Sequence, residues 1–245
     1  MLSVSQKSMI LSLKQKKFRQ KYQKFVIEGD KMVLELVQEL PEIIQTIVYQ
    51  ADTDIEFLKK NDLFLNLVAC TAADFKQISS LQTPQQLLAV CHVPLTNPAR
   101  NQFNWAIFAD GIQDPGNLGT ILRISDWFGM QKIFLGPDTV DVYNPKVIQA
   151  SMGAIWRVEA TNIELSELAK NFPEHTIVGA DMHGTDVKKF QFAKQGILLL
   201  GNEGNGINAV NQPYIKDFVR IPRHSNSHTD SLNVAISAGI ICSYL

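Results

Sequence analysis

Cysteine is scarce in this chain: Cys70, Cys91 and Cys242 are the only three in 245 residues, and no two share a Cys-x-x-Cys spacing. An odd, unclustered set excludes a disulfide framework and a thiolate zinc site, and leaves buried free thiols. Long apolar runs are missing too. Stretches such as Ile197 to Leu200 fall far short of the ~20 residues that span a bilayer, and Met1 to Leu13 is too polar for a signal peptide. The expectation is a soluble, cytoplasmic protein with no membrane partner. A surplus of either charge is also absent, with 23 Lys and Arg against 24 Asp and Glu and a formal net charge of −1.

What is present is enough to build a core. At 45% apolar content and this length the chain supports one large domain or two modest ones. Its charge is segregated. Residues 1 to 31 carry eight cations against two carboxylates, a net +6, whereas residues 32 to 74 carry two against eight, a net −6. The run from Lys14 to Lys24 includes Lys14, Lys16, Lys17 and Arg19 with Phe18 and Tyr22 interleaved, which suits phosphate neutralisation with base stacking. An amphipathic helix with a solvated face reads the same way.

The pattern from Phe25 to Cys91 suggests a small α/β unit, with strands at Phe25 to Ile27, Ile44 to Tyr49 and Leu87 to Cys91 and a helix from Lys31 to Glu39. His92 to Asn104 has two prolines, three asparagines and no periodicity, so it reads as a linker. This divides the chain into residues 1–97 and 98–245. Beyond it, short aliphatic strands at Trp105 to Ala109, Lys132 to Leu135, Thr176 to Ala180, Ile197 to Gly201 and Phe218 to Ile221 alternate with helical patterns at Leu118 to Phe128, Pro145 to Met152 and Leu165 to Phe172. That rhythm predicts a parallel sheet covered on both faces, with ligands bound beyond the carboxyl ends of the strands.

Three segments at those strand ends stand out. Asp110 to Gly129 holds Asp-Pro-Gly-Asn-Leu-Gly, where Asn117 can cap a helix that carries Arg123 in its second turn. An ordinary capped helix with a surface arginine fits equally. Gly201 to Ile207 has three glycines around Glu203, in an order that is neither a dinucleotide fingerprint nor a Walker loop. Ile221 to Ala235 leads into an apolar helix running to Leu245, with Asp230 or Ser231 as the expected N-cap and Asn233 inside the first turn. An apolar terminal helix is expected to be buried, carrying Ser231 and Asn233 into the interior or a cleft. His224 and His228 lack a third partner, so no metal site is expected.

In this order and spacing, Asp-Pro-x-Asn-x-Gly-x-x-x-Arg, Leu-Gly-Asn-Glu-Gly-x-Gly and Ile-Pro followed by Ser-Leu-Asn-Val resemble the three motifs of the SpoU-type, TrmH-like RNA ribose 2′-O-methyltransferases of the SPOUT superfamily. Tyr143 to Gly153 also resembles that family. Phe25 to Val33 is similar to the RNA substrate-binding domain that precedes the catalytic domain in many members. The resemblance implies an α/β SPOUT domain with a parallel sheet and a deep trefoil knot, a homodimer, S-adenosyl-L-methionine as cofactor, no metal, and RNA as substrate, with rRNA ahead of tRNA. A catalytically inactive RNA-binding relative is the alternative class. The resemblance places Asn117, Arg123, Glu203, Ser231 and Asn233 in the catalytic site. Leu200, Gly201, Asn202, Gly204, Ile221 and Leu232 fall to the cofactor, and Lys14, Lys16, Lys17 and Arg19 to RNA. Arginine stays protonated at physiological pH, which favours Arg123 as an alkoxide-stabilising or phosphate-clamping group over a base. One departure from the family pattern is the stretch Arg223 to Asp230, which is longer than usual and has no glycine.

Overall fold

The computed structural model describes residues 1–60, 65–94 and 102–245. The midpoint of the expected linker, and with it the boundary at 97/98, lies outside the described residues. By its internal packing the chain separates into two compact units, one of Met1–Leu95 with Tyr143–Trp156, the other of Thr96–Val142 with Arg157–Leu245.

The first unit opens with α1 (Val4–Ser12), started by a capping box in which Ser3 and Gln6 satisfy each other's backbone amides. After it come α2 (Lys16–Tyr22), β1 (Lys24–Glu28), α3 (Asp30–Glu39), β2 (Ile44–Gln50), α4 (Glu56–Lys60), β3 (Leu67–Cys70), α5 (Ala72–Ile78) and β4 (Leu87–His92). The strands form one sheet in the order β1-β4-β2-β3, antiparallel except for the β2–β3 pair. Val48, Leu88 and Val90 of this sheet pack with Phe75 and Ile78 of α5 and Ile10 of α1. Fully burying a side chain of this kind contributes roughly 1.5–3 kcal/mol. α3 buries Met32, Val33, Leu36 and Val37, and its Asp30 carboxylate accepts from the amides of Gln86 and Leu87, which ties the helix start to the start of β4.

The second unit holds β5 (Trp105–Ala109), α6 (Pro115–Trp127) and β6 (Lys132–Leu135). α7 (Pro145–Ser151) belongs to the first unit, and α8 (Ala154–Arg157) begins there and returns the chain to the second. β7 (Glu159–Asn162), α9 (Leu165–Asn171), β8 (Thr176–Asp186), β9 (Gly196–Leu200), β10 (Asp217–Arg220) and α10 (Val234–Cys242) complete it. Six strands make an entirely parallel sheet in the order β10-β8-β9-β5-β6-β7. β5, β6 and β9 are buried along their whole length, as a sheet covered on both faces requires. β7 is not anticipated by the sequence reading, because an edge strand of Glu, Ala, Thr and Asn shows no aliphatic run. β8 continues six residues past the predicted Ala180 through a register shift against β10.

Candidate active site

β5 and β9 are neighbours and end at the same level, with Ala109 opposite Leu200 and the Asp110 amide donating to the Leu200 carbonyl at 2.9 Å. The loops that leave them are stitched together. Asn202 Nδ2 donates to the Gly111 carbonyl at 2.7 Å, and the Asn208 amide donates to the Asp110 carboxylate at 2.7 Å. Asp110 is only 4% exposed, so that carboxylate works as an internal anchor. Thr139 adds a third stitch, its hydroxyl donating to the Ala109 carbonyl and accepting from the Gly111 amide.

The glycine-rich loop closes on itself. Asn202 and Gly206 exchange two backbone hydrogen bonds of 2.9 Å, and Asn202 Oδ1 accepts from the amides of Gly204 and Asn205. Gly206 sits at φ +68°, a left-handed conformation suited to glycine. A Cβ on Gly201 would lie 2.4 Å from the Gly206 carbonyl carbon and 2.5 Å from the Ile207 nitrogen, so only glycine lets the two arms meet. Asn202 and Gly204, assigned to the cofactor from sequence, are thus placed as the loop's own framework.

α6 starts three residues earlier than the sequence reading put it. Its N-cap is Asp114, whose carboxylate accepts from the Asn117 amide, and Pro115 takes the first helical position. Asn117 therefore does not cap; it lies in the first turn with its side chain available. α10 is corrected likewise. Its N-cap is Asn233, whose Oδ1 accepts from the amides of Ala235 and Ile236, and neither Asp230 nor Ser231 caps it. The terminal helix buries Ala235, Ala238, Ile241 and Cys242, but Ser231 and Asn233 are exposed, not carried into the interior.

These two corrections bring the three segments together. Asn233 Nδ2 donates to Asn117 Oδ1 at 2.8 Å, and Asn117 Nδ2 donates to Glu203 Oε1 at 2.8 Å. Each end of this relay has a fixed sense. A carboxylate only accepts and helix amides only donate, so the two asparagines between them must orient as they do. Arg123 lies further along α6 on its exposed side, and among the described residues its guanidinium has no hydrogen-bond or ion-pair partner. It is free to meet an anionic ligand.

A nucleoside cofactor is held by backbone donors and acceptors set among apolar side chains. Among the described residues the backbones of Gly201, Ile221 and Leu232 have no hydrogen-bond partner, and Leu232 is half exposed. The Leu200 carbonyl is already engaged by Asp110. The backbone donors and acceptors of Gly201, Ile221 and Leu232 are therefore open to a ligand. The long stretch Arg223 to Asp230 is exposed at nearly every position and braced locally, with Arg223 donating to the Thr229 carbonyl and the Asn226 amide donating to His224. No cluster of three potential metal ligands occurs among the described residues.

In the first unit, Lys14, Lys16 and Lys17 are exposed, with Lys14 donating to the Ser79 carbonyl. Arg19 is 4% exposed and donates to the carbonyls of Leu13 and Lys14, so the expectation that it meets phosphate is corrected. Asp110, Asp114 and Thr139 went unassigned from sequence. Asp before Pro signals an N-cap and could have located Asp114, whereas nothing local marks Asp110 or Thr139.

Residues 104–243 match the model of the SpoU rRNA Methylase family, and residues 8–89 match an MRM3-like substrate binding domain. The chain is 29% identical to the 23S rRNA (guanosine(2553)-2'-O)-methyltransferase RlmP of Bacillus subtilis, an alignment covering 94% of this chain and 91% of that one. A solved structure from Porphyromonas gingivalis, assigned to the TrmH family of RNA methyltransferases, is 36% identical, with a TM-score of 0.85 over 100% of this chain and 98% of the other. The SpoU methyltransferase AviRb of Streptomyces viridochromogenes, solved in complex with AdoMet, shares the fold at 22% identity, with a TM-score of 0.86 over 99% of this chain and 97% of that one.

Proposed function

The chain belongs to the SpoU rRNA Methylase family, and from that footing we propose that it transfers a methyl group from S-adenosyl-L-methionine to a ribose 2′-hydroxyl of ribosomal RNA. The observation that carries this reading is the hydrogen-bonded relay from Asn233 through Asn117 to Glu203, which joins all three segments at the carboxyl ends of β5 and β9. The RNA class rests on the RlmP likeness and on the match of residues 8–89 to a substrate binding domain.

The cofactor supplies an electrophilic methyl on a sulfonium. The open backbone groups of Gly201, Ile221 and Leu232 would hold its nucleoside portion, and the closed Asn202–Gly206 loop sets how near it comes. Arg123 addresses the acceptor. Its permanently charged guanidinium stabilises the alkoxide that develops on the 2′-oxygen, or grips the neighbouring phosphate, and the acidified proton passes to water. Glu203 is held by Asn117, and Ser231, two residues before Asn233, is exposed. The same proposal assigns RNA recognition to residues 1–97 and catalysis to 98–245, with the carboxyl-terminal segment threaded as a trefoil knot and the enzyme acting in the cytoplasm. A homodimer belongs to it as well. The packed pair α6 and α10 leaves Trp127 84% exposed and Ile236 57% exposed, apolar surface that a second copy would cover.

The test is methyl transfer from labelled S-adenosylmethionine to rRNA and, separately, tRNA from a strain lacking the gene, with ribose methylation mapped in both strains. Label in rRNA at one site absent from the deletion strain supports the proposal. Label only in tRNA replaces its substrate, and cofactor binding without label in any RNA favours an inactive RNA-binding protein. Arg123→Ala is expected to abolish transfer while the affinity for S-adenosylmethionine stays within about threefold; turnover near wild type would remove Arg123 from its role.

A further inference from the structure

The most basic stretch of the chain is shaped for more than solubility. α2 carries Lys16, Lys17 and Lys21 on its exposed side, and Lys14 immediately precedes it. Phe18 and Tyr22, one helical turn apart, stack with ring planes only 11° from parallel and centroids 6.1 Å apart. Lys17 Nζ lies 4.9 Å from the Phe18 centroid and Lys21 Nζ 5.5 Å from that of Tyr22, so each ring is paired with a cation. Tyr22 is 39% exposed, and the Lys21 ammonium over its ring sits on a flexible, exposed side chain that a base can displace toward a phosphate.

The platform is held rigidly. Arg19, buried beneath it, donates to the carbonyls of Leu13 and Lys14 and so fixes the turn from α1 into α2. Gln23 closes the helix in the left-handed conformation at φ +51°, and its carbonyl accepts from the Val93 amide just past β4. The backbone that carries the cations and rings is therefore anchored at both ends of α2.

We infer that the outer face of α2 is a docking surface for single-stranded RNA, with a base stacked on Tyr22 beside Phe18 and the adjoining phosphates met by Lys16, Lys17 and Lys21. The charge is complementary to a phosphate backbone, and unpaired bases alone can offer a face to a protruding ring. A duplex would use the lysines and leave Tyr22 idle. The inference rests on the proposal that RNA is the substrate and adds which strand state the first unit takes.

The test uses the full chain without cofactor and follows fluorescence anisotropy of a labelled 20-nucleotide single-stranded RNA, the matching duplex and labelled heparin over a salt series. Wild type is expected to favour the single strand over the duplex. Tyr22→Ala should weaken single-strand binding roughly tenfold or more, from the contribution of one base–aromatic stack, and change duplex binding by less than twofold. Tyr22→Phe should bind as wild type does. Replacing Lys16, Lys17 and Lys21 by Gln should lower the salt slope for the single strand by about 2, near 0.7 for each lost phosphate contact. Circular dichroism melts of every variant establish that the fold is kept. Single-strand affinity within twofold of wild type for Tyr22→Ala, or a preference for duplex or heparin, overturns the inference. Methyl transfer is read separately, so a chain that binds single strands through Tyr22 but labels no RNA counts against the enzyme reading alone.

Discussion

Asn117→Asp changes one atom group and breaks the relay at its centre, since an aspartate still accepts from Asn233 but cannot donate to Glu203. The wild-type amide donates to Glu203 Oε1 at 2.8 Å; an aspartate there presents a second carboxylate. Two unit charges at that distance repel by about 1.5 kcal/mol in water and about 6 kcal/mol at an effective dielectric of 20. Glu203 is exposed, so the cost falls toward the lower figure, about 1.5–3 kcal/mol, or roughly 10- to 150-fold in rate if the relay must be intact in the transition state. Asn117→Ala loses both side-chain hydrogen bonds, each worth only about 0.5 kcal/mol at an exposed site, and should cost roughly fivefold. The aspartate variant, although nearer in shape, should be the worse enzyme. Its loss should also ease on acidification, because two carboxylates sharing a site raise the apparent pKa of the pair, and a protonated partner donates again. Stability should change much less than rate, because exposed Glu203 can turn away in the resting fold and a negative charge in the first turn of α6 recovers roughly 0.3–1 kcal/mol from the helix dipole. Initial rates of methyl transfer from pH 6 to 8 and thermal melts decide the matter. Equal activity of the two variants, or a loss matched by a lower melting temperature, refutes the role of the relay.

Three further outcomes follow from other features. Gly201→Ala should reduce S-adenosylmethionine affinity at least tenfold by calorimetry, since its Cβ would meet backbone at 2.4 Å, whereas Gly204→Ala, meeting only Asn202 Oδ1 at 3.6 Å, should melt within about 2 °C of wild type. The three thiols should resist Ellman's reagent at pH 8 in the native protein and react fully in denaturant, because burial pushes Cys242 up to about 12 and raises Cys91 further and Cys70 less; fast labelling of the native form would contradict their placement. Hydrogen bonds from Lys7 and Thr71 hold the Asp74 carboxyl below its ordinary value, so the stability they supply is present above about pH 4 and lost as pH falls through the lowered value; the stability gap between wild type and Lys7→Met should close on acidification, and a constant gap would refute the link.

The sequence showed most of the sheet because its strands are buried on both faces and must be aliphatic, as Ala106 to Ala109 and Ile197 to Leu200 are. β7 escaped because an edge strand with half-buried residues needs no such run. The helix starts were misplaced for a single reason. Several neighbouring residues could each cap, and contacts across the fold decide between them: Asn117 is drawn to Glu203 and Asn233, leaving Asp114 to cap α6, whereas Asn233 caps α10 with its oxygen and reaches Asn117 with its nitrogen. Arg19 was misread for a related reason: a basic run does not reveal that one of its members turns inward to carbonyls five and six residues earlier.

That competition also explains why asparagine stands at both relay positions. Asn233 must accept from α10 with one side-chain atom and donate to Asn117 with another, and Asn117 must accept from Asn233 and donate to Glu203. Aspartate could not donate at either place, and serine, with one oxygen, could not span two partners lying in different segments. Glutamine has the chemistry, but its extra methylene would displace a bond that is already 2.8 Å long. The relay thus closes only when the first turn of α6, the glycine-rich loop and the start of α10 are all in register. Asp110 and Asn202 tie the segment that leads into α6 to the glycine-rich loop. α10, which packs against α6, brings Asn233 to Asn117, so the relay closes only with α10 docked.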